Sequence, residues 1–486
     1  MRIILLAVWC ALYTVGLIKY PGSAWSYTLF SVAYLVVLLS GFIKQAGYGY
    51  MFMAVMLWLG FWLKLTIHLS LGYPFSEPVG IFKSSIDAWD GVLTAATLGG
   101  FGVLAGRLLY TVFRQPSTIR TAKLEFNPPV WYSEKRRAFW ALLLICAVFI
   151  AAANGIYGIQ QAGLVPRTVL PWPLNAVIYW LLSYGFAIAV ATLLWWDICL
   201  GRKINWVIYV VLIEGVLSAI SLLSRASYIF HVFPQLLVFL KNKVKFREFS
   251  RKHIVLLLFS AIVLLMISLR GVNALRAYYY SGAPIAFFEA EDKGASQGMG
   301  VLYGKYFSRM GLFILQTSQF AIDRWVGVEG VMAVHSYPEK SWSLFSRQLT
   351  EKSEIGRSSI YQEICMAHYR FMNLAKYQFS SLPGPIAFLY SSGFLWMVFV
   401  GIAALTLFVL ASENLVFYLT TNPFMSALWG GAAANAVMQM GVAPIGLLKF
   451  FLIMLLGIVT VRVIQSNWLS KCLCGVKCLR ISRVRD

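Results

Sequence analysis

Apolar runs of roughly 17–25 residues, each long enough to cross a bilayer as a helix, recur along the chain with short charged blocks between them. They lie at about 3–18, 26–43, 51–69, 91–113, 138–155, 176–196, 206–223, 226–240, 254–269, 386–411, 420–441 and 444–466. The apolar residues run on without strict alternation, which is the signature of membrane helices rather than barrel strands. The expected fold class is all-α: a polytopic integral membrane protein with about twelve transmembrane helices. The first run, MRIILLAVWCALYTVGLI, has the character of a signal peptide, but no small-x-small cleavage site follows. It reads as the first, uncleaved span.

The charged blocks assign sides. Residues 114–137 hold six Lys or Arg, 241–253 another six and 467–486 five, and GRKIN (201–205) adds two. Twelve spans with an inside N-terminus put all four blocks in the cytoplasm, as the positive-inside rule requires. The same parity sends 270–385 to the outer side. The expected organisation is therefore nine spans in 1–269, one large loop in 270–385, three spans in 386–466 and a basic cytoplasmic tail in 467–486. The loop carries nine of the chain's nineteen carboxylates, and loops of such length usually hold function or structure of their own. In it, MGLFILQTSQFAIDRWVGVEGVMAV reads as a semi-apolar helix along the membrane interface, and SRQLTEKSEIGRSSIYQEICMAHYRFMNLAKYQF as a polar helix pair.

Composition excludes the soluble alternatives. Of 486 residues 59% are hydrophobic and 12% charged, with a mean hydropathy of +0.72, against about 25% charged in soluble domains. The net charge of +22 does not indicate nucleic acid, because the cations sit in loop blocks rather than on one face; anionic membrane lipid is their partner. Seven cysteines give no disulfide framework. Three cluster in KCLCGVKCLR, but a fourth ligand and a nearby His are missing, so no metal site is expected. The two halves show no internal repeat, unlike many transporters.

Charges at the spans' ends are the candidate chemistry. Arg225, in SLLSRASYIF, sits where the seventh span turns outward into the eighth. Arg270 and Arg276, in SLRGVNALRAYYYSG, open the large loop. Guanidinium forks at an outer interface fit a lipid diphosphate, although long side chains also snorkel there, as Arg107 is expected to do near the inner end of the fourth span. Glu214 lies within the seventh span, about 16 Å along one helix face from Arg225, and needs a partner or a proton. Lys64 and His68 of the third span are candidates for that partner.

In the loop, Asp323, Arg324, Glu329, His335, Glu363, His368 and Arg370 are acid–base or anion-binding candidates. Arg357 and Arg309 add further cations. Arg309 with Gln316, and Glu363 with Arg370, are seven residues apart and share a face if helical. Trp325, Trp342 and the tyrosines around Tyr279 offer rings to stack on sugars.

The span number, the late outer loop, the S-R-x-S turn at Arg225 and the stretch SLPGPIAFLYSSGFLW (381–396) together resemble the Wzy-type O-antigen and polysaccharide repeat-unit polymerases. These are membrane glycosyltransferases similar to the GT-C class that also includes the O-antigen ligases. The resemblance implies undecaprenyl-diphosphate-linked glycans as donor and acceptor, a periplasmic active site in the bacterial inner membrane, inversion at the anomeric carbon, and no cofactor or metal. It implies catalytic roles for Arg225 and Arg270 and for a loop histidine, His335 or His368; Glu363 stands beside them as an acid–base candidate of the loop itself. Arg276 matches the same family positions, and Arg309, Arg324, Arg357, Arg370, Glu214 and Tyr279 join it, from their own chemistry, as candidates to bind substrate; a chain-length regulator is the candidate protein partner. A glycan ligase and a lipid-linked oligosaccharide flippase are the alternatives.

Overall fold

The computed structural model describes residues 2–43, 46–72, 75, 77–113, 128–242, 251–280, 322–352, 354–371, 373–379, 381–441 and 444–465. Arg309, Gln316 and the three tail cysteines lie outside them. The described chain is helical almost throughout. The helices are α1 (Arg2–Lys19), α2 (Ala24–Gly41), α3 (Tyr48–Leu71), α4 (Ile86–Phe113), α5 (Val130–Tyr157), α6 (Leu174–Cys199), α7 (Val207–Ser221) and α8 (Arg225–Asn242). After α9 (Arg251–Tyr280) come the loop helices α10 (Val328–Ser336), α11 (Trp342–Thr350), α12 (Ile360–Ile364) and α13 (Gly384–Tyr390). The last three are α14 (Leu395–Thr420), α15 (Pro423–Gln439) and α16 (Pro444–Ile464).

Among the described residues, eight helices are long and apolar enough to cross a membrane: α2, α3, α4, α5, α6, α9, α14 and α16. Shorter apolar helices cover Leu6–Lys19 and Val207–Ser221. Exposed apolar side chains on α5 (Leu142, Ile145, Phe149, Ile156) and α9 (Val255, Phe259, Ile262) fit surfaces that face lipid rather than water. The tenth run differs from expectation. Instead of one span from 386, α13 is a short buried helix, and the chain turns at 391–394, with Gly393 at φ 84°, before α14 begins.

The chain forms two compact units. Unit 1 comprises Met1–Gln115, Gly282–Ala411 and Ala433–Leu448. Its interior is aromatic: Tyr27, Phe30, Tyr34, Tyr50, Phe61 and Trp62 are buried, and the Tyr34 and Phe61 rings stack at 5.3 Å. Here α10 packs against α4 and α13, and Val328, Val331, Met332, Ala333 and Val334 are shut away from solvent. The stretch expected along the interface (310–334) is thus, over 328–334, part of an internal helix, and its residues 310–321 lie outside the described residues. The polar helix pair is corrected as well. α11 is a nine-residue helix, α12 stops after five residues, and a 3-10 turn follows at His368–Phe371. Met366, at φ 56°, interrupts any helix between them, so Glu363 and Arg370 do not share a helical face.

Unit 2 comprises Pro116–Ser281, Ser412–Ala432 and Lys449–Asp486. Ala147, Ala151, Leu182, Phe186 and Leu222 form a buried cluster. At one end, Asp197 of α6 accepts from Arg136 at 2.6 and 2.7 Å, from Tyr132 at 2.8 Å and from Trp140 at 3.1 Å. Asn422 caps α15 through Phe424 and Met425 N–H and donates to Ala191 O at 3.0 Å, satisfying the helix's first donors as capping requires.

Candidate functional site

In unit 1 the charged groups gather where residues 322–336 meet α3. A π-helical turn at Trp58–Leu63 precedes Lys64, and such turns recur at functional sites. Gly60 and Gly327 touch backbone to backbone: a Cβ on Gly60 would lie 2.1 Å from Val326 O, and one on Gly327 1.8 Å from Gly60 O. No side chain fits there. This approach brings Lys64, fully buried, to Glu329 Oε1 at 2.7 Å and Asp323 O at 2.9 Å. One turn later His68 Nε2 meets Asp323 Oδ1 at 2.7 Å, with its ring stacked on Phe75 at 4.2 Å. Lys64 and His68 therefore pair with the loop segment, and the expectation that they neutralise Glu214 is overturned. Glu77, half-buried in the connection before α4, feels the same group of charges. Burial pushes its carboxyl up, Glu329 and Asp323 add repulsion, and Lys64 and Arg324 oppose them.

His335 closes α10. Its Nδ1 lies 3.1 Å from the Tyr390 hydroxyl, and the ring rests against Gly91 of α4. Lys340 donates to His335 O at 2.5 Å and Tyr337 O at 2.9 Å. Burial pushes the imidazole below its ordinary value, and the Lys340 ammonium adds to that. His335 is thus a neutral, half-buried base, suited to accept a proton from a hydroxyl. The other loop candidates sit differently. Glu363 and His368 are exposed, and Glu363 accepts from Ser358 at 3.2 Å. Arg357 is exposed and pairs with Glu354 at 3.8 Å; Arg324 is also exposed. Arg370 lies over the Phe371 ring at 4.7 Å. Burial pushes the Cys365 thiol up to about 11, which keeps it unreactive. Arg107 does not snorkel freely: its guanidinium bonds Ser40 O and stacks on Tyr50.

In unit 2 the arginines gather at the turn between α7 and α8. Leu223 adopts a left-handed φ of 51°, an uncommon conformation for a residue with a side chain. Its carbonyl accepts from Arg276 Nε at 3.0 Å and Nη2 at 2.7 Å. Arg276, expected to bind substrate, is here the clamp of the turn. Arg225 is the first residue of α8 and half-buried, a cation placed against the helix dipole. Arg167 stacks on Tyr279 at 4.7 Å. Tyr280 donates to Ala162 O at 2.6 Å, and Ala162 N donates to Leu222 O at 2.8 Å. Four cations, Arg167, Arg225, Arg276 and the exposed Arg270, thus belong to segments that meet around one turn.

Glu214 is buried on α7 and finds its partner within the same unit. His231 Nδ1 lies 3.0 and 3.2 Å from its two oxygens, and the Ser218 hydroxyl donates to Oε1 at 2.7 Å. His231 is the residue that the sequence reading missed. The available signal was a second ionisable side chain inside an apolar run, IFHVF, adjoining the run that carries Glu214. Among the described residues no group of three or more His, Cys, Asp or Glu side chains is placed to hold a metal ion.

No protein-family model, curated protein sequence or solved structure matches the chain.

Proposed function

We propose that this chain is a membrane glycosyltransferase that polymerises undecaprenyl-diphosphate-linked oligosaccharide repeat units at the periplasmic face of the bacterial inner membrane. One observation carries the reading: the clamped turn at 221–225, which holds Arg225 at the start of α8 with Arg276 on the Leu223 carbonyl. A guanidinium at a helix N-terminus, as at Arg225, suits the growing negative charge of a departing diphosphate. The acceptor's sugar hydroxyl attacks the anomeric carbon, the bond from that carbon to the diphosphate oxygen breaks, and the electron pair leaves with the lipid diphosphate. The hydroxyl's proton goes to a general base.

The test is polymer length in membranes supplied with lipid-linked repeat units. Arg225→Ala and Arg270→Ala are expected to leave single units while the protein remains in the membrane. A wild-type ladder from both variants would overturn the assignment. A second reading, transfer of finished glycan to another lipid acceptor, is favoured by the neutral His335 beside Tyr390. The two readings separate in a null strain: loss of a polymerase leaves one repeat unit attached to the acceptor, and loss of a ligase leaves none.

A further inference from the structure

The interior of unit 2 holds an ionisable pair that the glycosyl-transfer reading does not use. His231 Nε2 lies 2.7 Å from the Ser183 carbonyl. A carbonyl only accepts, so Nε2 must carry a hydrogen. Ser183 lies in the π-helical turn Leu181–Gly185, where the helix's own hydrogen-bond register shifts. With Nε2–H fixed, the other ring nitrogen of a neutral imidazole is an acceptor. It faces the two Glu214 oxygens at 3.0 and 3.2 Å, and a carboxylate is an acceptor too. Two bare acceptors do not share a contact of that length in an apolar interior. One proton therefore lies between them, either on Glu214 or on His231, and both arrangements leave the pair with no net charge.

Polar side chains continue from the pair along α7 towards the arginine-bearing turn. Along α7, Ser218 donates to Glu214 Oε1, and Ser221, one turn on, bonds Ala151 O at 3.0 Å and accepts from Asn154 Nδ2 at 2.9 Å. Beyond Ser221 come Leu222, Leu223 and the arginines of the turn. On α8, Gln235 follows His231 by one helical turn. It is 1% exposed, and neither its Nε2 nor its Oε1 finds a partner among the described residues. An unsatisfied buried amide beside an ionisable pair marks a place built for a polar occupant rather than for packing alone.

The ionisable groups on the neighbouring elements are Tyr184 of α6, whose ring centre is 6.2 Å from that of His231, Cys146 of α5 and Tyr209 of α7. Tyr228 and Arg225 follow on α8, Arg270 and Arg276 on α9, and Lys449 on α16 next to Phe450, which touches Tyr184. The other buried carboxylate of α6, Asp197, is already bonded to Arg136, Tyr132 and Trp140.

We infer that Glu214 and His231 form a proton-exchange site in the interior of unit 2, holding one transferable proton that passes along the Ser218–Ser221 edge of α7 to water at the arginine-bearing turn. On release the O–H or Nδ1–H bond breaks and water at the turn takes the proton. The pair is left as carboxylate and neutral imidazole, and the reverse step restores it. The site is independent of which glycan, if any, the turn binds.

The full-length protein in lipid bilayers, labelled with ¹⁵N at histidine, gives the test by solid-state NMR, with His231→Gln assigning the signal. The expected result is an Nε2 that stays protonated throughout, and an Nδ1 signal that moves in a single titration, as the proton shared with Glu214 leaves with rising pH. Glu214→Gln should abolish that titration. Ser218→Ala should keep it but slow deuterium exchange at Nδ1 roughly fivefold, the size of one lost hydrogen bond. An unprotonated Nε2, an Nδ1 that never titrates while the protein stays folded, or exchange unaffected by Ser218→Ala would each overturn the inference. The wild-type spectrum alone decides the first two, whatever the variants do to folding.

Discussion

Lys64 of α3 and Glu329 of α10 meet at 2.7 Å across 265 residues of chain, both nearly sealed from solvent. The pair ties the second half of the long loop to a helix near the start of the protein. It is reinforced by the lysine's second bond, to Asp323 O, and by His68 on the Asp323 carboxylate. A buried ion pair of this kind contributes little over a well-packed apolar pair, yet loss of one partner strands the other.

The consequence is a non-additive mutant cycle. Lys64→Met and Glu329→Gln should each destabilise unit 1 by about 3–5 kcal/mol, since each leaves one uncompensated buried group. The double variant should recover most of that loss. Thermal unfolding in detergent measures it, and additive losses would show that the two groups act separately.

Glu77 provides a pH test with a definite sign. Its folded-state pKa lies above the ordinary carboxyl value, mainly through burial. The folded protein therefore keeps the proton that the unfolded chain has already released, and stability falls as pH rises from the unfolded value through the folded one. Glu77→Gln should raise the melting temperature at neutral pH, with the difference vanishing below the normal carboxyl range. A melting difference that grows on acidification would contradict the sign.

How much of this was legible in the sequence depended on range. A helix covers the middle of every apolar run expected to span, because helix formation inside apolar segments follows from the local pattern. The turn at Arg225 was legible too, as a charged interruption between two such runs. What failed was pairing. Lys64 and His68 stood as candidate partners of Glu214 because all three are ionisable groups in apolar runs, yet helical periodicity says nothing about which helices touch. Lys64 belongs with Glu329 because two glycines, Gly60 and Gly327, allow a backbone approach that no propensity scale encodes. The split of the tenth run into α13 and α14 was missed for a similar reason. SSGF is a short polar interruption inside an otherwise apolar run, and the chain turns there, with Gly393 in the left-handed region.

Asp197 shows how completely a buried carboxylate can be satisfied. Arg136, Tyr132 and Trp140 all donate to it. Asp197→Ala should destabilise unit 2 by about 3–5 kcal/mol, because Arg136 keeps its charge without its partner. Asp197→Asn retains the shape but exchanges one acceptor for a donor, and should recover only part of the loss. Chemical denaturation of the purified variants checks the order; equal stability of wild type and Asp197→Ala would show the pair to be dispensable.

His335 is where pH and activity connect in the second reading, transfer of finished glycan to another lipid acceptor. Its imidazole is held below the ordinary histidine value by burial and by Lys340, so it stays neutral, and able to take a proton, further into the acid range than a free histidine with a pKa of about 6.5. Glycan transfer should accordingly be flat through neutral pH and fall only below that value, as the base becomes protonated. Lys340→Met removes the neighbouring charge, so the acid limb should move upward in pH with little change in the plateau. His335→Gln should lower the plateau itself by about 10²–10⁴-fold, the usual contribution of a positioned base. Initial rates of glycan transfer measured across pH distinguish the two effects. A limb that ignores Lys340→Met would remove His335 from the proton-accepting role.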